Sequence, residues 1–428
     1  MDVCLQPSFF MDLHHIRRVL FIGLVWPEPD SSAAGTRMMQ LIKLFLPHSA
    51  VTFACAAQES VYMVDLRVLG VTCQQILLNS DSFDVFLVKL NPDLVIFDRF
   101  VVEEQFGWRV ARTCPNALRI LDTEDLHCLR AARQEAVKRG AKFDFDALLN
   151  HDIAKREIAS IFRCDLSLII SEVEMDILKS VFNIDASLLH YLPLFAKGRS
   201  SSEPLTFNQR HDFTFIGNFL HDPNVDAVRF LKTAIWSLIR TLMPDATVQI
   251  YGAYPSPGVL QLSEPKEGFH VRGRAKDAAE ILEASRVLLA PIRFGAGIKG
   301  KLLEAMQAGT PSVCTSVGAE GISGDFPWNG SVCDSATDFA SAAVCLYANE
   351  QDWLNAQRNG FEILSARFNA DQFTFSFLKI IVQLQQDLAL HRKKNFIGSL
   401  LMHHTTASTK YMSKWIEEKN RHSKNPAV

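Results

Sequence analysis

The sequence has 428 residues, with 48% hydrophobic and 21% charged side chains and a formal net charge of −3 at pH 7. This length and composition are typical of a globular protein of two domains, and the small negative charge argues against a dedicated nucleic-acid binder. The nine cysteines are scattered singly, without the spacing of a zinc site, and therefore indicate small core side chains in a reducing compartment.

The amino-terminal segment predicts a lead-in followed by the first strand. We expect residues 1–17 to be disordered, and the apolar run Val19–Leu24 predicts a buried strand. This run is too short to span a bilayer, and no small-residue cleavage site follows it. We therefore expect a cytoplasmic protein without a secretory signal.

Residues 18–195 alternate apolar runs with helical patterns, which predicts an α/β domain with a doubly wound parallel sheet. Further strands are expected at Val51–Ala54, Gln75–Leu78, Leu94–Phe97, Leu118–Leu121, Leu166–Ile170 and Leu188–Leu192. Helices are expected near Thr36–Phe45, Phe83–Leu90, Val101–Thr113, Thr123–Arg139, Phe145–Arg163 and Glu172–Phe182. The last helix opens with Ser171-x-x-Glu174, a pattern that predicts a capping box and needs no functional explanation.

Two segments of this domain carry polar residues just after a strand. Small residues from Ser31 to a helix start near Arg37 form a nest that suits an anion, with Gly35 and Arg37 as candidate contacts. An ordinary strand-to-helix turn is the alternative. The stretch 121–127 places three carboxylates and His127 at another helix start, where the helix dipole alone already favours acidic residues.

A segment rich in serine, proline and charge, residues 196–211, predicts a linker to a second alternating series at 212–370. Strands are expected there at Phe213–Ile216, Val248–Tyr251, His270–Arg272, Val287–Ala290 and Ser312–Thr315. Helices are expected at Val225–Met243, Ala275–Ser285, Lys301–Ala308, Ala336–Asn349 and Asp352–Ser365. The chain therefore predicts two Rossmann-like domains.

The loop between Val287–Ala290 and the helix at Lys301–Ala308 is the strongest candidate for a ligand site. Its glycines let the backbone approach an anion, and the helix start adds free N–H groups and partial positive charge. The candidate contacts are Arg293, Gly295, Gly297, Lys299 and Lys301, with Gly300 at the helix start. We therefore expect a phosphate-bearing ligand here, with a solvated surface loop as the alternative.

Two common phosphate motifs nearly fit this loop. The run from Gly295 to Gly300 spells G-x-G-x-x-G, but it lies deep in the chain, whereas the dinucleotide motif normally opens a domain. The run from Gly295 to Lys301 also spells G-x-x-x-x-G-K, but Leu302 stands where a P-loop needs serine or threonine. We favour neither interpretation.

The run PIRFGAGIKGKLLEAMQAGTPSV resembles the donor-site signature of retaining glycosyltransferases of the GT-B fold, in particular family 4, the glycosyl transferases group 1. The resemblance implies two Rossmann-like domains facing across a cleft, with a carboxy-terminal helix at 371–392 crossing back to the first. It implies that Glu304 binds the ribose of a nucleotide sugar and that Lys299 or Lys301 neutralises the pyrophosphate. Gly217 resembles the glycine that packs beside the nucleotide. The first of the two glutamates in the family pattern falls at Ala296.

The resemblance also implies the activity. We expect a retaining, metal-independent glycosyltransferase of the hexosyl type. It would move sugar from a UDP- or GDP-sugar to a glycan or lipid-linked acceptor in polysaccharide or cell-surface glycan synthesis. In similar proteins the stretch after Leu121 faces the cleft and often carries a histidine where Glu124 stands, so His127 and Glu124 are both candidates for contact with the sugar or acceptor. A sugar-nucleotide epimerase and a non-catalytic nucleotide-sugar binding protein remain alternatives.

Two further features bear on partners. Asp144-Phe-Asp146 spells a D-x-D, the metal motif of another glycosyltransferase fold, but its position between helical patterns predicts a helix cap. From His391 onward the chain has eight Lys/Arg and two Glu. We expect a solvated basic tail at 393–428. The alternative is peripheral contact with anionic lipid or a lipid-diphosphate acceptor at the cytoplasmic membrane face.

Overall fold

The computed structural model describes residues 16–196 and 204–403, together with the isolated positions Met412 and Trp415. Residues 1–15 of the predicted lead-in, the middle of the predicted linker and most of the predicted tail lie outside the described residues. Ile16, which we had placed in the lead-in, is 1% exposed and belongs to the hydrophobic core. None of the helices within the described ranges is both long and apolar enough to cross a membrane.

The first domain is built on a seven-stranded sheet in which every neighbouring pair of strands is parallel. Its strands are β1 (Arg18–Gly23), β2 (Ala50–Cys55), β3 (Thr72–Gln75), β4 (Leu94–Asp98), β5 (Leu118–Asp122), β6 (Leu166–Ile169) and β7 (Leu189–Tyr191). The spatial order β3-β2-β1-β4-β5-β6-β7 is that of a doubly wound Rossmann-like sheet. The third strand lies earlier than the predicted Gln75–Leu78.

Side-chain alternation explains why both faces of this sheet are covered. Val19 and Phe21 of β1 pack into one apolar cluster, whereas Leu20 and Ile22 pack into another on the opposite face. Strands buried on both faces appear in sequence as continuous apolar runs, and this is the signal from which most of them were predicted.

The helices of the first domain agree with the predicted pattern except at two places. They are α1 (Ala33–Phe45), α2 (Ser82–Leu90), α3 (Arg99–Thr113), α4 (His127–Arg139), α5 (Phe145–Asn150), α6 (Asp152–Arg163) and α7 (Glu172–Ser180). The helix predicted from Thr123 begins only at His127. The helix predicted at Phe145–Arg163 is two helices, because His151 adopts an extended conformation and its ring nitrogen accepts from the N–H of Ile153.

The second domain repeats this architecture with a six-stranded parallel sheet in the order β10-β9-β8-β11-β12-β13. Its strands are β8 (His211–Ile216), β9 (Val248–Tyr251), β10 (Phe269–Gly273), β11 (Ser285–Ala290), β12 (Ser312–Cys314) and β13 (Gly330–Val332). Its helices are α8 (Asp222–Phe230), α9 (Trp236–Leu242), α10 (Pro257–Leu260), α11 (Ala278–Ala284), α12 (Gly300–Gln307), α13 (Ser316–Ala319), α14 (Ala336–Ala348) and α15 (Glu350–Arg367). A π-helical turn, Leu231–Ile235, interrupts the helix predicted at Val225–Met243.

The last helices return to the first domain. Phe377 and Ile381 of α16 (Ala370–Gln386) are buried in the first domain's core, where Phe377 makes an edge contact with Phe45 at 6.1 Å. The crossover predicted at 371–392 is thus confirmed, although it ends at Gln386 and continues as α17 (Leu388–Lys394) and α18 (Phe396–Met402).

The described part of the predicted tail is ordered. The guanidinium of Arg392 in α17 donates to Asp165 at 2.7 Å, and the side-chain amide of Asn395 donates to the carbonyl of Phe162 at 2.7 Å. These contacts fix α17 and α18 to the first domain, so the predicted basic tail begins with helical structure that packs on this domain.

The two domains face each other through the carboxyl ends of their strands and exchange apolar side chains. Ala296 of the second domain packs with the first domain's core, whereas Ile170 and Leu194 of the first domain pack with the core of the second. The cleft is therefore closed, and the edges at which α/β sheets bind ligands are in contact.

Candidate functional site

A loop of glycines and lysines connects β11 to α12 at the centre of the cleft. We call residues 291–299 the glycine–lysine loop. Gly297 has a φ of +61°, a left-handed conformation that glycine adopts without strain. Lys299 is the amino-terminal cap of α12, so the first N–H groups of this helix and its positive dipole end point into the cleft. The local structure is that of an anion-binding helix start.

Lys301 lies beside this helix start in a pocket of the second domain. Its ammonium donates to the side-chain oxygen of Asn224 at 2.6 Å and lies 4.2 Å from the ring centroid of Phe215. A β-carbon at Gly217 would lie 2.7 Å from the ammonium and from the amide carbon of Asn224, so a larger residue would displace the lysine or the asparagine. Burial lowers the pKa of Lys301 to about 7, and Glu304 opposes this shift. An anion that enters the pocket would restore the full positive charge.

Lys299 folds back on its own loop. Its ammonium donates to the carbonyl of Gly297 at 2.9 Å. Burial lowers its pKa, while the carboxylate of Glu320 opposes this effect. The same glutamate is bound by Arg133 of the first domain, whose guanidinium also donates to the carbonyl of Gly295 at 2.9 Å. The loop is therefore held from both sides of the cleft.

The start of α12 meets the start of α1 across the cleft. A β-carbon at Gly300 would lie 2.8 Å from the β-carbon of Ala33, the first residue of α1. The side chain of Ser32 caps α1 by accepting from the N–H of Gly35 at 3.0 Å. Because both helices begin here, two positive dipole ends converge on the same region.

Acidic side chains end the neighbouring strands of the first domain. Asp122, the last residue of β5, is fully buried and lies 3.3 Å from the equally buried guanidinium of Arg37. Glu124 has a φ of +63°, and one of its carboxylate oxygens is buried without a hydrogen-bond partner in the described part of the chain. Burial and the nearby Asp122 raise the pKa of Glu124 well above its ordinary value. Strained backbone and an unsatisfied carboxyl group are typical of functional sites.

The segment 122–127 touches the glycine–lysine loop directly. A β-carbon at Gly297 would lie 2.8 Å from the β-carbon of Asp125 and 3.4 Å from the carbonyl oxygen of Glu124. The ring of His127 lies 3.3 Å from Asp125 and makes an edge contact with Phe100 at 5.4 Å. Burial lowers the pKa of His127 to about 4, so the imidazole is neutral at pH 7.

Aromatic and charged groups close another part of the cleft. The hydroxyl of Tyr254 donates to the carboxylate of Glu28 at 2.9 Å, which joins the second domain to the first. The guanidinium of Arg274 lies 4.3 Å from the ring centroid of Tyr62, and its Nε is buried without a hydrogen-bond partner in the described residues. A guanidinium over a tyrosine ring, as here, suits a planar aromatic ligand.

The family model for glycosyl transferases group 1 matches residues 210–349. Sucrose-phosphate synthase from Thermosynechococcus elongatus has a similar structure, with a TM-score of 0.62 at 14% identity, covering 86% of this chain and 99% of that one. HepE from Anabaena, solved with UDP and glucose, has a TM-score of 0.60 at 12% identity, covering 85% and 98%. WaaG, a glycosyltransferase involved in lipopolysaccharide biosynthesis, has a TM-score of 0.57 at 12% identity, covering 85% and 98%. A search of curated protein sequences gives no match.

The chain has the GT-B fold, and residues 210–349 of its second domain match the model of the glycosyl transferases group 1. Within this GT-B framework, the structure brings most of the predicted donor-side residues together. Gly295, Gly297, Lys299 and Lys301 all lie in or beside the start of α12, and Gly217 packs against the ammonium of Lys301. Glu304 follows one turn later on α12, close enough to Lys301 to influence its pKa.

Two arginines of the GT-B site are placed differently from the prediction. The guanidinium of Arg37 does not line an anion nest; it is fully buried against Asp122 and also donates to the carbonyl of Pro193 at 2.9 Å. The guanidinium of Arg293 is turned to α8, where it pairs with Asp226. Each arginine neutralises the charge of a carboxylate, Asp122 or Asp226. Their positions in the sequence did not indicate this role.

The sequence prediction also missed residues. Asn224 was not among the candidate site residues, but its side chain accepts a hydrogen bond from the ammonium of Lys301. Glu174 was assigned to a capping box, yet Ser171 makes no side-chain capping bond, and the glutamate instead reaches across the cleft to the N–H of Gly297 at 2.8 Å. In the sequence, Asn224 and Glu174 are each only a polar residue in the first turn of a helix that follows a strand. This pattern is too common to predict a functional role. The predicted helix cap at Asp144 is confirmed, since its carboxylate accepts from the N–H of Ala147 at 2.7 Å.

Proposed function

We propose that the chain is a hexosyltransferase that moves a sugar from a nucleoside diphosphate sugar to a hydroxyl of a glycan or lipid-linked acceptor. The observation that carries the proposal is the convergence of two helix starts and the ammonium of Lys301 where the two domains meet. Such a site binds a diphosphate, and it lies beside the segment 122–127, which bears titratable groups. A cytoplasmic role in polysaccharide or cell-surface glycan synthesis is part of this proposal.

The arrangement supplies what the transfer requires. The leaving diphosphate must have its charge neutralised, and Lys299, Lys301 and the start of α12 can do this without a metal ion. Glu304, one turn into α12, would bind the ribose. The acceptor hydroxyl must be held close to the anomeric carbon, which is a matter of positioning. We propose retention of configuration, because the resemblance to family 4 supports it.

Glu124 and His127 are the groups proposed to contact the sugar or the acceptor. The neutral ring of His127 can accept a hydrogen bond from a hydroxyl, whereas a carboxyl with a raised pKa such as that of Glu124 can donate one. Replacing each in turn, His127→Ala and Glu124→Gln, should lower turnover more than nucleotide affinity. The variant with the larger loss of turnover identifies the direct contact.

The nature of the donor is proposed from two observations. Arg274 and Tyr62 offer a stacking surface for a base, and HepE, which has the same fold, was solved with UDP-glucose. We therefore propose a UDP-sugar, with a GDP-sugar as the second candidate. The sugar itself would be identified by screening.

Thermal unfolding with a panel of nucleotide sugars tests the proposal. A cognate donor should raise the melting temperature, because it binds only the folded state. Lys299→Ala and Glu304→Ala should abolish this shift. Lys232→Ala is the matched control, since this lysine of the same domain pairs with Glu267 on the protein surface. If no nucleotide sugar raises the melting temperature of the unmodified chain, the proposal is wrong.

Product analysis distinguishes a transferase from the two alternatives. A sugar-nucleotide epimerase would convert the donor when no acceptor is present, whereas a transferase would leave the sugar largely attached. A non-catalytic binding protein would show the thermal shift and no turnover with any acceptor. The burial of Ala296 against the first domain is the feature that favours this last outcome, because no carboxylate is present at that position of the loop.

We also propose peripheral membrane contact through the carboxy-terminal helices. Phe396, Ile397 and Leu400 of α18 are exposed by 73%, 50% and 61%, and they lie on one face of the helix. Lys393 and Lys394 are exposed directly before it. An apolar face next to lysines suits an anionic bilayer surface.

Co-sedimentation with vesicles of anionic or zwitterionic lipid tests this contact. The double variant Phe396→Glu/Leu400→Glu should lose binding to anionic vesicles. The control Val85→Glu/Val88→Glu, which alters an exposed apolar pair on α2, should retain it. Equal binding by both variants would exclude α18 as the contact.

A further inference from the structure

Glu174 connects the two loops that face each other in the cleft. It lies in the first turn of α7 and is fully buried. One carboxylate oxygen accepts from the N–H of Leu126 at 2.9 Å and from the N–H of Gly297 at 2.8 Å. The first N–H belongs to the segment 122–127 and the second to the glycine–lysine loop. A single oxygen atom therefore joins the two domains at their reacting edges.

The surroundings show that this bridge replaces local capping. Ser171 precedes α7 but makes no side-chain capping bond, and its hydroxyl is buried without a partner in the described residues. A β-carbon at Gly321 of the second domain would lie 2.8 Å from that hydroxyl, so the start of α7 faces the other domain. The second oxygen of Glu174 is likewise buried without a partner among the described residues. A capping box would have satisfied these groups within the first domain.

We propose that Glu174 is a positioning residue that holds the glycine–lysine loop against the segment 122–127, so that the anion-binding helix start and the titratable side chains face the same space. The proposal rests on the geometry of the two loops and does not require the transferase activity. Glu174 would thus keep the cleft closed where Leu126 and Gly297 meet.

Charged groups of both domains surround the carboxyl group. Asp125 and Lys299 face it, with the thiol of Cys128 nearby. Burial raises the pKa of Glu174 to about 8, Asp125 adds to the increase, and the two N–H donors and Lys299 oppose it. A carboxyl group released into solvent has a lower pKa, so the closed bridge binds the proton more tightly than the open one. Raising the pH from about 4.5 to about 8 should therefore weaken the bridge.

Amide hydrogen exchange of the full chain without nucleotide tests the proposal. Glu174→Ala should speed exchange by about 10-fold or more in peptides covering both 122–130 and 292–302, because both loops lose their acceptor. Glu157→Ala is the matched control. Glu157 is also a buried carboxyl group with two backbone donors, the N–H groups of His127 and Cys128, but both belong to the first domain. It should speed exchange only in 122–130.

A conservative variant keeps the proposal testable if Glu174→Ala fails to fold. Glu174→Gln keeps an acceptor oxygen and the side-chain volume but cannot ionise. After correction for intrinsic rates, protection of 292–302 should fall in the unmodified chain between about pH 4.5 and pH 8, and it should fall less in this variant. Unchanged exchange of 292–302 in Glu174→Ala, or the same pH dependence in Glu174→Gln, would overturn the proposal. Because no nucleotide is present, neither result bears on the donor-binding proposal.

Discussion

The two loops that meet in the cleft hold their charges in different ways. In the second domain, Lys301 donates to the neutral amide of Asn224 and lies over the ring of Phe215. In the first domain, Asp122 is paired with the fully buried guanidinium of Arg37. The neutral amide that accepts from Lys301 can be exchanged for a phosphate oxygen, whereas a buried carboxylate needs a permanent partner. One loop is therefore suited to bind an anion, and the other is suited to keep acids in place beside it.

Removing Arg37, the permanent partner of Asp122, should cause the largest loss of stability. Arg37→Ala leaves the buried carboxylate of Asp122 without its hydrogen-bonded counter-charge, which should cost about 3–5 kcal/mol in the free energy of unfolding. Urea unfolding measures it. Arg293→Ala removes a guanidinium from a more exposed pair with Asp226 and should cost less than about 1 kcal/mol. Equal losses in the two variants would contradict the contrast between the loops.

Removing the exchangeable cation should leave stability nearly unchanged and weaken anion binding. Lys301→Met should lower the affinity for UDP by about 10- to 100-fold, the usual contribution of a charge-assisted hydrogen bond. Titration calorimetry measures this loss.

The pH dependence of UDP affinity sharpens this prediction. The pKa of Lys301 is lowered to about 7 in the free protein, so the ammonium is present below pH 7 and must be re-protonated on binding above it. Affinity of the unmodified chain should therefore decrease as the pH rises above 7. The methionine variant should lack this component, and an identical profile in both would exclude Lys301 as the phosphate contact.

Adding one methyl group at the start of α12 tests its contact with the start of α1. Gly300→Ala would bring a β-carbon to 2.8 Å from that of Ala33, which should push α12 away from α1. Overpacking of this kind costs about 1–3 kcal/mol, measured by thermal unfolding. In the control Gly258→Ala, the nearest atom to the new β-carbon is 3.7 Å away, so stability should stay constant or increase slightly.

The smallest effect is expected from the cap of α1. Ser32→Ala removes the acceptor for the N–H of Gly35 and should cost about 1 kcal/mol. Ser335→Ala removes a similar cap from α14, where Ser335 accepts from the N–H of Asp338 at 3.1 Å. Both variants should lose similar stability in urea, but only Ser32→Ala should also weaken UDP binding. If Ser335→Ala weakens it equally, the start of α1 has no special role.

Sequence patterns predicted the second-domain loop well because its structure is local. The strand predicted at Val287–Ala290 is found at Ser285–Ala290, and the helix predicted at Lys301–Ala308 is found at Gly300–Gln307. Gly309 ends the helix with a φ of +65°, the conformation expected after a helix. Periodicity, glycine and proline determine such features within a few residues.

The groups that join the domains could not be predicted in this way. Glu174 lies 123 residues before Gly297, and nothing near either residue indicates that they meet. Arg37 and Asp122 are 85 residues apart, so the arginine could equally have faced solvent or a ligand. The strand Gly330–Val332 was missed because it is short and only partly buried, and it therefore lacks an apolar run.

The exchange of apolar side chains between the domains has a consequence for the rate of ligand entry. Opening the cleft would expose Ala296, Ile170 and Leu194 to water, so the open form should be a minority population. If entry of a nucleotide sugar to the proposed diphosphate site requires this opening, its observed association rate is reduced by the open fraction. The rate of domain opening, and not diffusion of the donor to the protein, would then limit the association rate.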